Sequence, residues 1–155
     1  MTRLRELCED LGFIDVRTYI ASGNVVFSSP LSAAALRNGL EQAIEAEFGF
    51  SVVVVVLTAQ QVAAVMKRNP FPDAQPGALH VAFATAPIGK ADVERLSAID
   101  FEPEEVHVRG SVVYLHMPTG YGRSGLAAEV TKVKLPTTVR NWRTITALNE
   151  MAAAP

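Results

Sequence analysis

The stretch "RTYIASGNVVFSS", Arg17–Ser29, is a strand pattern interrupted by Ser-Gly-Asn. β-Branched and aromatic residues stand on both sides of the break, and a glycine in the break reaches positive φ without a Cβ clash. The stretch predicts a hairpin with strands Val16–Ala21 and Val25–Phe27 and a two-residue turn at Gly23-Asn24. "EEVHVRGSVVYLHM", Glu104–Met117, has the same form and turns at Gly110-Ser111. The two turn glycines are 87 residues apart.

Moving the flanking segments by 87 aligns the rest of the chain. Arg3–Leu11, an amphipathic helix ended by Gly12, falls on the helical pattern Lys90–Ala98. Leu36–Phe48, apolar at helical spacing, falls on Arg123–Leu135. Ser51–Thr58 contains "VVVVVL", predicted as a strand buried on both faces, and falls on the short strand before the last helix. The order of elements therefore predicts an α+β protein of two ferredoxin-like β-α-β-β-α-β halves. The first half spans residues 1–58, a helix and loop at 59–77 connect, and the second half spans 78–155. One element has no counterpart: "LHVAFAT", 79–85, moved back by 87, falls before residue 1. The first half is thus expected to lack its opening, central strand, leaving "VVVVVL" and the first hairpin with open edges and an invitation to self-associate.

Five stretches, "GFIDVRTYIASGNVVFSS", "KRNPFP", "LHVAFAT", "VVYLHMPTGYGRSGL" and "TTVRNWRTITALNEM", together resemble the domain of unknown function 1697 family across essentially the whole chain. The resemblance implies a bacterial α+β protein of two ferredoxin-like halves with no established biochemical role. Family members usually begin with a strand and a glycine-rich turn that this sequence lacks. An internal start site or a truncated gene model is the expected explanation.

Composition narrows the function classes. Of 155 residues, 49% are apolar and 19% charged, an ordinary globular balance, and the net charge of −2 shows no overall basic excess calling for nucleic acid. A single cysteine, Cys8, on the apolar side of a helical pattern, is read as core and fits a reducing, cytoplasmic compartment. No apolar run approaches the ~20 residues of a membrane span, and no signal region opens the chain.

Candidate binding residues come from the faces of the hairpins and from the C-terminal third. With a Gly110-Ser111 turn, Val106, Val108, Val113 and Leu115 face the helices and His107, Arg109, Tyr114 and His116 face outward. Such a face is similar in kind to the platforms on which single-stranded bases stack, or it is a polar outer face, or it packs on other structure. The first hairpin offers Arg17 and Tyr19 outward, with Ser22 and Asn24 at its turn. From Gly122 to Leu148 there are five basic residues, Arg123, Lys132, Lys134, Arg140 and Arg143, against one acid, a local +4 in a chain whose remainder is −6. That stretch suits phosphate or carboxylate, or is a solvated helix face. Asn141 or Thr144 is placed to cap the last helix, and Trp142 beside them reads as a core anchor.

Catalytic signals are thin. Ser22 sits in a hairpin and not in a strand-turn-helix elbow, His80, His107 and His116 lack metal-ligand spacing, and no phosphate-binding glycine loop occurs. The sequence calls for no cofactor and no metal. Its leading functional reading is a module binding an anionic small molecule or single-stranded nucleic acid. The alternatives are an enzyme with a cleft site between the halves, using Tyr19, Ser22 and Asn24, and a structural or partner-binding protein.

Overall fold

A computed structural model describes residues 1–154 as a mixed α+β protein with two antiparallel sheets. In chain order the elements are α1 Thr2–Asp10, β1 Ile14–Tyr19, β2 Asn24–Ser28, α2 Ala33–Phe48, α3 Ala59–Lys67, β3 Leu79–Ala84, α4 Lys90–Ala98, β4 Glu105–Arg109, β5 Val112–His116, a 3-10 turn Tyr121–Arg123, α5 Gly125–Val130, β6 Thr137–Asn141 and α6 Trp142–Ala153. They form two compact units: Met1–Ala63 with the C-terminal residues from Thr146, and Ala64–Ile145.

The second unit holds a four-stranded antiparallel sheet in the order β4-β5-β3-β6. Its hairpin has the expected register: Arg109 opposes Val112, His107 opposes Tyr114 and Glu105 opposes His116. One face carries Ala82, Ala84, Val113 and Leu115 against Leu96 of α4 and Leu126, Ala127 and Val130 of α5. The other face is also closed, because Leu79, Val81, Phe83 and Tyr114 are buried as well. β3 is therefore apolar on both sides, as a central strand requires.

The first unit is built on β1–β2 alone. Cys8 of α1, Phe13, and Leu36 and Leu40 of α2 form its core, with Val16, Val25, Phe27, Val54 and Val56 packed against them. Phe13 stacks on Phe27 with ring centroids 4.3 Å apart. Ser32 caps α2 by accepting from the Ala35 N–H, and Gly49 ends it at φ 75°.

Three expectations are corrected here. "VVVVVL" is not a paired strand: 51–58 forms neither helix nor strand and has no ladder partner. Its β-branched residues favour the extended conformation, but ladder pairing needs a neighbouring strand, and none lies beside it. The first turn is not Gly23-Asn24. Tyr19 pairs with Asn24, so four residues, Ile20–Gly23, make the connection. β1 also carries a bulge, because its register slips by one residue between Ile14 and Arg17, with Asp15 at φ 54°. Finally, Thr144 does not cap the last helix: α6 begins at Trp142, directly after β6, and Thr144 lies in its first turn.

Candidate functional site

The residues singled out in the first hairpin stabilise its turn. The Asn24 side chain is buried, and its amide donates to the Tyr19 carbonyl at 3.3 Å and to Ser22 Oγ at 2.8 Å. Ser22 thus holds a turn residue in place. Arg17 Nη2 donates to the Met151 carbonyl of α6 at 2.8 Å, while its Nε is buried without a hydrogen-bond partner among the described residues.

The second hairpin does not form an open platform. Tyr114 is 1% exposed, and its O–H donates to the Val65 carbonyl of α3 at 2.8 Å. Val65 lies in the last turn of α3, whose carbonyls have no helical partner, so the phenol satisfies an orphan acceptor. The expected outward direction is right, but α3 occupies the space. His107 and Arg109 remain exposed. His116 places Nδ1 3.2 Å from Glu105 Oε1 and its ring 5.6 Å from Phe71.

In the C-terminal third, Asn141 Oδ1 accepts from the Thr144 N–H at 2.8 Å and so caps α6. Arg140 is half-buried and donates from Nη1 to Thr138 Oγ1 at 2.7 Å and to the Val139 carbonyl at 2.8 Å; burial pushes its pKa down. Arg143 is exposed. Lys132 is held by the Glu129 carboxylate.

An open groove of about 630 Å³ runs along the outer edge of β6. Its walls are Tyr121, the segment Val133–Pro136 with Thr131 before it, and Thr137–Val139 of the strand. None of these lining residues is acidic. Threonine and tyrosine hydroxyls offer both donors and acceptors, and Lys134 brings a cation that makes no salt bridge among the described residues. Lys134 lay in the +4 stretch but was not separated there from its neighbours.

A partly buried polar clasp fixes the groove's wall. Asp92 of α4 accepts from the Lys134 backbone N–H at 3.1 Å and from Arg95 Nη2 at 3.2 Å. Arg95 in turn donates through Nη1 to Glu129 Oε2 at 2.7 Å. The bond from the Lys134 N–H, with Arg95, holds the Asp92 carboxyl below its ordinary range, and Lys132 with Arg95 does so for Glu129.

His80, which the sequence offers only as a metal ligand without the right spacing, takes a different place. It is half-buried on the helix-facing side of β3, its Nδ1 has no hydrogen-bond partner among the described residues, and its ring lies 5.1 Å from that of Tyr121. Desolvation lowers its pKa below 6.5, so the ring is neutral at neutral pH. The signal available in the sequence was one polar residue in an otherwise apolar central strand.

These shifts predict a pH dependence with a fixed sign. All three groups release protons more readily in the folded than in the unfolded chain, so their stabilisation is full at higher pH and decays as pH falls. The decay begins below 6.5 through His80 and steepens near 4.5 and 3.8 through Glu129 and Asp92. Melting temperature measured from about pH 7 down to about pH 3 should fall in those two stages, and Asp92→Asn should shrink the lower one. A profile flat below about pH 4.5 would show that the clasp contributes no acid sensitivity.

Among the described residues no group of three His, Cys, Asp or Glu is placed to hold a metal ion, and no helix is long and apolar enough to cross a membrane.

Fold and groove together define a small mixed α+β protein with an open surface groove whose lining carries no acidic residue. The family model described as "Protein of unknown function (DUF1697)" matches residues 1–114, and the chain belongs to that family. Among solved structures the chain is similar to the conserved bacterial protein SP0830 from Streptococcus pneumoniae, with a TM-score of 0.80, 21% sequence identity, and coverage of 99% of this chain and 89% of that one. At that identity the likeness is one of fold. No curated protein matches the chain.

Proposed function

We propose that the protein is a binding module for a small anionic molecule, a phosphate or carboxylate compound, held in the groove beside β6. One observation carries this reading: a groove of about 630 Å³ lined by hydroxyls and the unbridged Lys134, with no carboxylate in its wall. An anion's oxygens accept from Tyr121, Thr137 or Thr138, and the ammonium offsets the charge. Single-stranded nucleic acid is the weaker occupant, because Tyr114, the aromatic centre of the imagined platform, is buried under α3. An enzyme acting through Tyr19, Ser22 and Asn24 has less support still, since Ser22 and Asn24 bond one another.

The same reading includes the finer architecture. The β-α-β-β-α-β order of 79–141 and its strand order support two ferredoxin-like halves, 1–58 and 78–155, joined by 59–77. β5 begins 88 residues after β2, and that offset sets Val25 and Phe27, both packed on the first core, on Val113 and Leu115, both in the second. The buried free thiol of Cys8, its pKa raised to about 11 chiefly by desolvation, and the bacterial neighbour support a bacterial, cytoplasmic setting.

The test is a thermal-shift series with inorganic phosphate, nucleotides and di- and tricarboxylates at low and high salt. A charged ligand should raise the melting temperature, and the shift should shrink as salt rises. Lys134→Ala should weaken that ligand by roughly tenfold or more, the scale of a charge-assisted bond, with the fold retained because the Lys134 hydrogen bond to Asp92 comes from the backbone and only the smaller charge interaction with that carboxylate is lost. A series flat for every anion, or a Lys134→Ala protein that binds as tightly, removes the proposal.

A further inference from the structure

β6 is the outer strand of its sheet, bonded to β3 alone. The ladder fixes where its backbone groups point. At the two ends of β3, the Ala84 N–H donates to the Ser111 carbonyl at 2.9 Å, and the Ala78 carbonyl accepts from the Met117 N–H at 2.7 Å. The even-numbered residues of β3 therefore bond toward β5. Bonding direction alternates along an antiparallel strand, so Val81 and Phe83 bond toward β6, where they oppose Arg140 and Thr138. Thr137 and Val139 are left with their N–H and C=O groups aimed at the open edge. Among the described residues only the Val139 carbonyl has a partner there, Arg140 Nη1 at 2.8 Å, and a carbonyl accepts a second bond.

The groove opens onto this edge. Thr137, Thr138 and Val139 all line it, although successive side chains of a strand point to opposite faces. A groove that meets three consecutive residues meets the strand from its side. Pro136 has no N–H, so the donors of the edge begin at Thr137. Lys134 stands just before them in the groove wall and makes no salt bridge among the described residues.

We propose that the groove takes the C-terminal end of a short extended oligopeptide, which adds to β6 as a further strand. This rests on the reading of the groove as an anion site and names the carboxylate compound it holds. The peptide runs antiparallel to β6. Its last residue lies opposite Thr137: the peptide N–H donates to the Thr137 carbonyl, and the terminal carboxylate accepts from the Thr137 N–H and the Lys134 ammonium. The third residue from its end meets Val139 in the same way. Residues directly opposite share a face, and Val133, Leu135 and Val139 pack in or against the core of this unit, so both peptide positions suit apolar side chains. A second copy of the chain is a poorer occupant, because its own β6 edge brings Lys134 and Arg140 against the same two cations. The groove's volume of about 630 Å³ also lies in the range of small-ligand sites, roughly 300–1,000 Å³.

The probe is acetyl-Leu-Ala-Leu with a free C-terminal carboxylate, compared with its C-terminal amide and with a version methylated at the nitrogen of its last residue. The whole chain is used, with calorimetry for binding, light scattering for mass, and hydrogen exchange at the Thr137 and Val139 amides. The expected result is saturable binding of the free acid by a monomeric chain, binding weaker by about tenfold or more for the amide and the methylated peptide, and slowed exchange at both amides. Three results overturn the proposal. They are equal binding of all three peptides, binding that leaves the Thr137 and Val139 amides unprotected, and a dimer of the free chain in which those amides are already protected. Failure of the anion reading is distinct. If inorganic phosphate or a tricarboxylate raises the melting temperature through Lys134 while the tripeptide does not bind, the oligopeptide alone is excluded; a chain that answers to neither loses both.

Discussion

Replacing Tyr114 by alanine is expected to destabilise the second unit by about 3–5 kcal/mol, the usual cost of emptying a large aromatic site in a core. The ring is 1% exposed at the middle of the sheet, and its hydroxyl is the donor for the Val65 carbonyl. Two losses add: the packing of the ring, and the satisfaction of an end-of-helix acceptor that alanine leaves without this donor. Tyr114→Phe separates them. It keeps the ring and removes the hydroxyl, and should cost about 1 kcal/mol. Urea unfolding followed by circular dichroism measures both. If Tyr114→Ala were as stable as the parent, the residue would be peripheral, and a base-stacking role for that face would return.

Leu40→Ala is expected to cost the first unit about 2–5 kcal/mol. Leu40 is buried among Cys8, Phe13 and Leu36, and the hairpin those residues cover is only two strands wide. A two-stranded ribbon is marginal alone, so the unit depends on the packing of α1 and α2 onto it. With 51–57 outside any ladder, little hydrogen bonding compensates for a cavity. Hydrogen exchange should accelerate across the amides of α1, β1, β2 and α2, with smaller changes in β3 to β5. Uniform acceleration in both units would show instead that the chain unfolds as one cooperative block.

Much of this fold is legible in sequence, and the misreadings have physical causes. The second hairpin reads correctly because Gly110 and Ser111 are a complete turn and the flanking residues alternate, which fixes the register. The first misled because Gly23 marks the last residue of a four-residue connection, and neither the bulge nor the positive φ of Ile20 leaves a compositional mark. "VVVVVL" has every property of a central strand, but pairing belongs to two segments and cannot be read from one. The outward direction of Tyr114 follows from alternation, while its burial depends on α3, 49 residues earlier in the chain. The groove beside β6 was visible only as a run of basic residues, because its acid-free wall is assembled from Tyr121, the 131–136 segment and the strand together.

The turn at Ile20–Gly23 bears on the order of events in folding. Ile20 sits at φ 49°, where a β-branched side chain is disfavoured by roughly 1–2 kcal/mol. A turn of that kind does not form by itself; the Asn24 bonds and the helices packed on the hairpin hold it in place. The Gly110-Ser111 turn has glycine at its positive φ and closes without strain. The second hairpin is therefore the early, local event and the first a late one, closed only after α1 and α2 have collapsed on it. Pulsed hydrogen exchange during refolding should protect Glu105–His116 before Ile14–Ser28, and the reverse order would assign the nucleus to the first hairpin.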